Sequence, residues 1–202
     1  MGYSYNYNSI GGAIINNTIA SNSYSIRFNF ESAGNIMYAL SKATNIRKNS
    51  DGEYAILGIP YAQYVKGEFD FSKNIRIDRR NSFAFHIGMG IAVPYGNAKT
   101  IPFEKQYFSG GANSVRGWTV RDLGPGSFVG NKNTNLLDQS GDIKLDASIE
   151  YRSKLFWKFQ GAIFVDAGNI WTIRDYDNQP GGVFKFDKFY NCLLYTSPSP
   201  RD

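Results

Sequence analysis

The chain has no apolar run approaching the roughly 18 residues that a transmembrane helix needs, so a helical membrane span is excluded. It has one cysteine and one histidine, His86, which leaves no disulfide framework and no Cys/His zinc set to argue from. Acid is scarcer than base, 17 residues against 22, but the excess is scattered apart from Arg76, Arg79 and Arg80 around Asp78. That group reads as a solvated turn, and no nucleic-acid partner is expected. Met1 runs on as GYSYNYNS, with neither a basic nor an apolar leader region, so no signal peptide is visible. For an exported protein that predicts further chain upstream. The C-terminal CLLYTSPSPRD resembles a translated sequencing adapter. Residues 192–202 are therefore set apart as a non-native tail, Cys192 with them, and native sequence is expected to stop near Asn191.

What is present is aromatic: 15 Phe and 14 Tyr in 202 residues, with a mean hydropathy of −0.37. That composition suits strands. Two-residue alternation is the main signal. From Ser82 to Val93 the odd positions Phe83, Phe85, Ile87, Met89, Ile91 and Val93 are bulky and apolar, and the even ones are small or polar. The same rule separates Tyr24, Ile26, Phe28 and Phe30 from Ser25, Arg27, Asn29 and Glu31, and Val65, Phe69 and Phe71 from Lys66, Glu68 and Asp70. From Asp142 to Arg152 it separates Ile143, Leu145, Ala147, Ile149 and Tyr151 from Lys144, Asp146, Ser148, Glu150 and Arg152. From Phe159 to Val165 the apolar side is Phe159, Ile163 and Val165, while Phe156 and Phe164 break the pattern. The polar faces carry too much charge for a soluble core. Spans of about ten to twelve residues exceed the usual globular strand and match a tilted membrane crossing. Trp157 and Trp171, about 46 Å apart along one strand, are expected at opposite membrane interfaces.

Weaker strand candidates are Gly2 to Asn8, Ala13 to Ala20 and Asn35 to Ala43, for a total of about eight or nine strands. An open sheet of that size cannot sit in lipid, because its edge groups would go unpaired. The expected fold is therefore all-β, an antiparallel transmembrane β-barrel present in part, over residues 1–191. Residues 94–141, rich in Gly, Asn and Pro, form the one long interruption, and loops of that length are usually functional or disordered.

That loop contains Phe108-Ser109-Gly110-Gly111-Ala112-Asn113-Ser114-Val115-Arg116-Gly117-Trp118. The Val-Arg-Gly-aromatic run resembles the signature of the inward-folded loop of the BamA/TamA superfamily. Phe164-Val165-Asp166-Ala167-Gly168-Asn169-Ile170-Trp171 resembles the same family's Phe-x-Asp strand motif, and Ala147-Ser148-Ile149-Glu150-Tyr151 resembles the strand before it, with its single acid. The resemblance covers about Phe103 to Trp171. It implies a sixteen-stranded Gram-negative outer-membrane barrel that assembles or translocates outer-membrane proteins. Its implied partners are outer-membrane lipid, unfolded client proteins and periplasmic or lipoprotein accessory subunits, with no cofactor.

Strand parity independently places Glu150 and Asp166 on the polar, inward side. A loop arginine drawn out of bulk water needs such carboxylates, since an unpaired guanidinium there costs several kcal/mol. Arg116 is thus expected to clamp the loop to the wall through Glu150 and Asp166, its fork taking both acids as a lysine would not. Gly110, Gly111 and Gly117 are expected to supply positive-φ turns that bring Val115 and Trp118 against the wall. A turn centred near Lys158, within Leu155-Phe156-Trp157-Lys158, would set the two acids opposite each other. His86 reads as a hydrogen-bonded inward histidine. Ser82, Ser109 and Ser114 lack a nucleophile-elbow context, so no enzyme is expected. Three other readings stay open. They are a two-partner secretion pore or porin, the barrel of a patatin-like phospholipase fusion, and a soluble β-sandwich binding module.

Overall fold

The computed structural model of the chain describes residues 1–10, 22–46, 48–49, 52–56, 59–111, 114–128, 138–156 and 159–187. Six long strands follow the alternating segments: β1 (Gly2–Ile10), β2 (Ser23–Ala33), β5 (Tyr64–Arg76), β6 (Asn81–Pro94), β7 (Ile143–Lys154) and β8 (Gln160–Trp171). They form one antiparallel sheet in the order β1-β2-β5-β6-β7-β8, and β3 (Ala55–Ile56) and β4 (Ile59–Pro60) form a separate two-stranded hairpin. Sequential strands are neighbours throughout, the topology of an up-and-down sheet that closes only when further strands are added.

Register carries the alternation from strand to strand. Phe28 faces Phe69, which faces Met89, which faces Leu145, so apolar residues of four strands share one face. On the other face Glu68 pairs with Gly90 and Gly90 with Lys144. Tyr3, Tyr5 and Tyr7 extend the apolar face onto β1, whose register the sequence had left open. That face is bare: Ile163 is 75% exposed and Val165 68%. A face this apolar without protein cover is what lipid replaces in an outer-membrane barrel.

The buried apolar cluster, Ala92, Ile101, Tyr107 and Ile170, lies where the chain between β6 and β7 meets strand residues. It is possible because β6 has only Gly88, Gly90 and Ala92 on its inner side over this stretch. A Cβ on Gly90 would stand 2.6 Å from the Tyr107 ring, and one on Gly88 2.9 Å from the Asp146 carboxylate. Of the small residues read in the sequence as one half of an alternation, Gly90 and Ala92 are sockets for the loop, while Gly88 makes room for Asp146 of β7.

Three expectations are corrected. Asn35–Ala43 is helix α1, not a strand. Gly34, at φ 81°, turns the chain away from β2, and Ile36, Leu40 and Ala43 then recur at helical spacing among good helix formers. The helix packs by its other side, Tyr38 against the Tyr54 ring at 5.7 Å and Ser41 accepting from the Tyr61 hydroxyl. Trp171 is no open girdle residue, being 1% exposed and packed edge-on against Phe184 at 5.5 Å. Gly117 does not adopt a positive φ, whereas Gly110 and Gly111 do, at 98° and 89°. Trp157, Ala13 to Ala20 and residues 192–202 lie outside the described residues.

Connections differ between the two ends of the sheet. Residues 11–22, 77–80 and 155–159 link strands at one end, while the far longer segments 34–63 and 95–142 lie at the other.

Candidate functional site

Loop 95–142 leaves β6 and returns to β7 with only a 3-10 turn, Phe103–Lys105, as regular helix among its described residues. Its root is stitched shut. Tyr107 and Gly141 exchange both backbone hydrogen bonds at 2.8 Å, and the Ala92 amide donates to Asp142 O at 2.8 Å. Tyr107 lies over Gly90, donates its hydroxyl to Gly67 O, and carries the Lys66 ammonium 4.3 Å above its ring.

Beyond the root the chain turns back on itself. The Arg121 amide donates to Ser109 O, the Gly111 amide to Trp118 O, and Ser109 bridges Leu123. This places Val115 and Arg116 at the tip. Val115 is 1% exposed and seats against Gly168, where a Cβ would come within 3.0 Å of it. Trp118 is half-buried.

Arg116 then meets the wall with every part of its head group. Its backbone amide and Nε both donate to Asp166 Oδ2, at 3.0 and 2.8 Å, and Nη2 donates to Asp166 Oδ1 at 2.7 Å. Nη1 donates to Glu150 Oε2 at 2.5 Å. The guanidinium carbon stands 3.7 Å from the centre of the Phe164 ring. The Asp166 side chain is 3% exposed, that of Glu150 13% and that of Arg116 26%. This is a bidentate, stacked ion-pair network, the arrangement for which arginine is suited and lysine is not.

The structure thus brings Arg116, Glu150 and Asp166 together, but not in the register expected. Asp166 pairs with Ser148, and Glu150 with Phe164, because Lys154 pairs with Gln160 and the turn centres on position 157 instead of 158. One position of turn centre moves each partner by two residues, so parity survives and both acids keep the same face. They become diagonal neighbours, about 7–8 Å apart at the backbone, a span the guanidinium fork bridges.

Other motif residues hold the returning branch of the loop. Asn169, fully buried, donates from Nδ2 to Gly126 O at 2.8 Å, and the Gly126 amide donates to Ile170 O at 2.7 Å. The strand motif therefore grips the loop twice, by Phe164 and Asp166 at the tip and by Asn169 and Ile170 on its way back.

Two participants, Arg152 and Tyr107, escaped the sequence reading as parts of the site. Phe164 was named there with the strand motif and as a break in alternation, and the structure adds its role: an aromatic ring on the polar face two residues before the acid is a platform for Arg116. Arg152 shares the clamp, donating from Nε to Glu150 Oε1 at 2.5 Å. Tyr107 has no motif of its own. His86 stands on the inner face with Asp70 3.6 Å and Asp146 3.4 Å from its two ring nitrogens.

Above the strands, Asp142 is almost fully buried and burial pushes its carboxyl up from the ordinary range, against the Ile173 amide that donates to it. Among the described residues no group of three or more His, Cys, Asp or Glu is placed to hold a metal.

Residues 2–187 match the family model described as the Omp85 superfamily domain. The outer membrane protein assembly factor BamA of Neisseria meningitidis serogroup B (strain ATCC BAA-335 / MC58) is 34% identical over 101 residues, covering 45% of this chain and 12% of that protein. The chain thus matches a small part of that relative's length. Among solved structures, BamA from Haemophilus ducreyi lacking POTRA domains 1-3 aligns with a TM-score of 0.43 and 16% identity over 85% of this chain and 42% of that one.

Proposed function

The chain belongs to the Omp85 superfamily of Gram-negative outer-membrane barrels, and on that premise we propose that it is part of a barrel that assembles, inserts or translocates other outer-membrane proteins. The observation that carries this reading furthest is the Arg116 guanidinium, held on the inner face by Asp166, Glu150 and Phe164. A loop fastened at root, tip and return suits a device that must keep its interior ordered while part of its wall yields. Loop 95–142 is the internal brace, and the Arg116 clamp holds it to β7 and β8. Opening of the wall elsewhere admits client strands by backbone pairing, the mode in which an extended segment adds to an exposed sheet edge. The similarity to an assembly factor favours this reading over a two-partner secretion pore. No catalytic role is proposed.

Charge reversal tests it. In the full-length protein, Arg116→Glu sets a third carboxylate against Asp166 and Glu150, and the loop tip should leave the wall. The expected outcome is loss of client folding in proteoliposomes, with increased protease cleavage within 95–142. Client folding at the wild-type rate, with the loop still protected, would remove the basis of the proposal.

A further inference from the structure

The end of the sheet with the short connections carries a concentration of positive charge of which the clamp takes up only Arg152. Register places Arg76 opposite Ser82, Ser82 opposite Arg152 and Arg152 opposite Ala162, all on the inner face, with Lys154 one inward position further along β7. Arg79 and Arg80 stand on the turn beside them. These five cations line one concavity of about 440 Å³.

Acid is nearly missing from it. Its only lining carboxylate is Glu150, whose two oxygens are already taken by Arg116 and Arg152. Asp78 is occupied as the cap of its own turn, and the Asn81 side chain, with the Arg80 and Asn81 amides, holds its carboxyl below the usual range. Among the described residues no ion pair involves Arg76, Arg79, Arg80 or Lys154. The sequence from Gly11 to Asn22 and from Leu155 to Phe159, which connects strands at this same end, contains no acidic residue. A solvated turn explains Arg79 and Arg80, and Glu150 holds Arg152. Neither explains Arg76 and Lys154, which belong to strands and face inward.

We propose that this basic crescent is the docking site of an acidic polypeptide segment at the mouth of the barrel interior. The proposal rests on the outer-membrane reading, in which the end with short turns is periplasmic. Three features select the occupant. The cations face the interior and not the lipid side, so a lipid phosphate held in the bilayer does not reach them. The five cations are spread over β5, β7 and the turn beside them, with Arg76 and Arg152 two strands, about 10 Å, apart, so a chain of carboxylates engages more of them at once than a single small anion does. Apart from Arg152, which Glu150 holds, their charge meets no ion-pair partner among the described residues, and such a field in a concave setting raises the local concentration of anionic chains. Arg152 also ties the crescent to the clamp, since an acidic segment that engages it competes with Glu150.

The test uses the full-length protein in nanodiscs of zwitterionic lipid, with a fluorescent hexaglutamate peptide titrated at low ionic strength and read by anisotropy. The expected result is saturable binding, weakened roughly tenfold or more by the double substitution Arg76→Gln and Lys154→Gln. Arg174→Gln, at the opposite end of the sheet, should leave it unchanged. A heat-modifiable gel shift establishes that each variant is a folded barrel. The proposal is overturned if a folded barrel fails to bind the peptide or if the double variant binds it equally well. It is overturned too if inorganic phosphate at equal charge displaces the peptide as effectively as unlabelled hexaglutamate does, which would make this a small-anion site. Loss of binding in phosphatidylglycerol nanodiscs would assign the crescent to lipid headgroups instead. Any of these results leaves the client-folding outcome of Arg116→Glu, and with it the assembly reading, untouched.

Discussion

The two acids that hold Arg116 are unequal, and geometry says which matters more. Asp166 accepts three hydrogen bonds from one residue, including its backbone amide, and is nearly buried. Glu150 accepts one from Arg116 and keeps Arg152 as a second partner. Asp166→Asn should therefore cost about 2–3 kcal/mol of barrel stability and Glu150→Gln about 1 kcal/mol, the figure for a buried charged pair being reduced because Arg116 stays partly in water. Denaturant midpoints of the two variants, followed by heat-modifiable mobility, check the order, and a larger loss for Glu150→Gln would contradict the geometry. At this scale the sequence showed a good deal. Arg116, Glu150 and Asp166 were recognisable because motif and parity agreed on them. Phe164 was named with the strand motif, but its stacking on Arg116 was not legible, since a cation-π contact requires knowing which loop residue arrives above the ring.

Elements obey a different logic. The strands were legible because alternation is a local property with a period of two, and all five alternating segments became strands of eleven to fourteen residues. Asn35–Ala43 misled because nine residues with scattered apolar positions fit either period, and only packing on Tyr54 and Tyr61 selects the helix. The loop root depends on β6 staying small on its inner face. Gly90→Leu should drive Tyr107 off the strand, unseal the root and raise cleavage within 95–142 severalfold under limited proteolysis. Met89→Leu, one residue away on the apolar face, should leave cleavage at the wild-type level, and equal cleavage of both variants would mean that the glycine is no socket.

For the whole molecule the decisive property is that one face is bare and apolar while the other is filled by the chain itself. If lipid covers the bare face, Val165→Arg should destabilise the barrel by about 2–4 kcal/mol, the cost near mid-membrane, whereas Ser72→Arg on the inner wall should change stability by well under 1 kcal/mol. Refolding titrations into lipid vesicles measure both, and tolerance of arginine at Val165 would argue against a lipid-facing wall. The sequence by itself determined which residues face which side, because parity along a strand is inherited from the backbone and survives errors in turn length. Only the tertiary structure decided which inward residues meet. A change of one position in the turn centre slides each pairing by two, and a loop of this length can be laid down along many paths. The diagonal of Glu150 and Asp166, the Phe164 platform beneath Arg116 and the sharing of Glu150 with Arg152 are contacts between residues far apart in the chain, which no local pattern encodes.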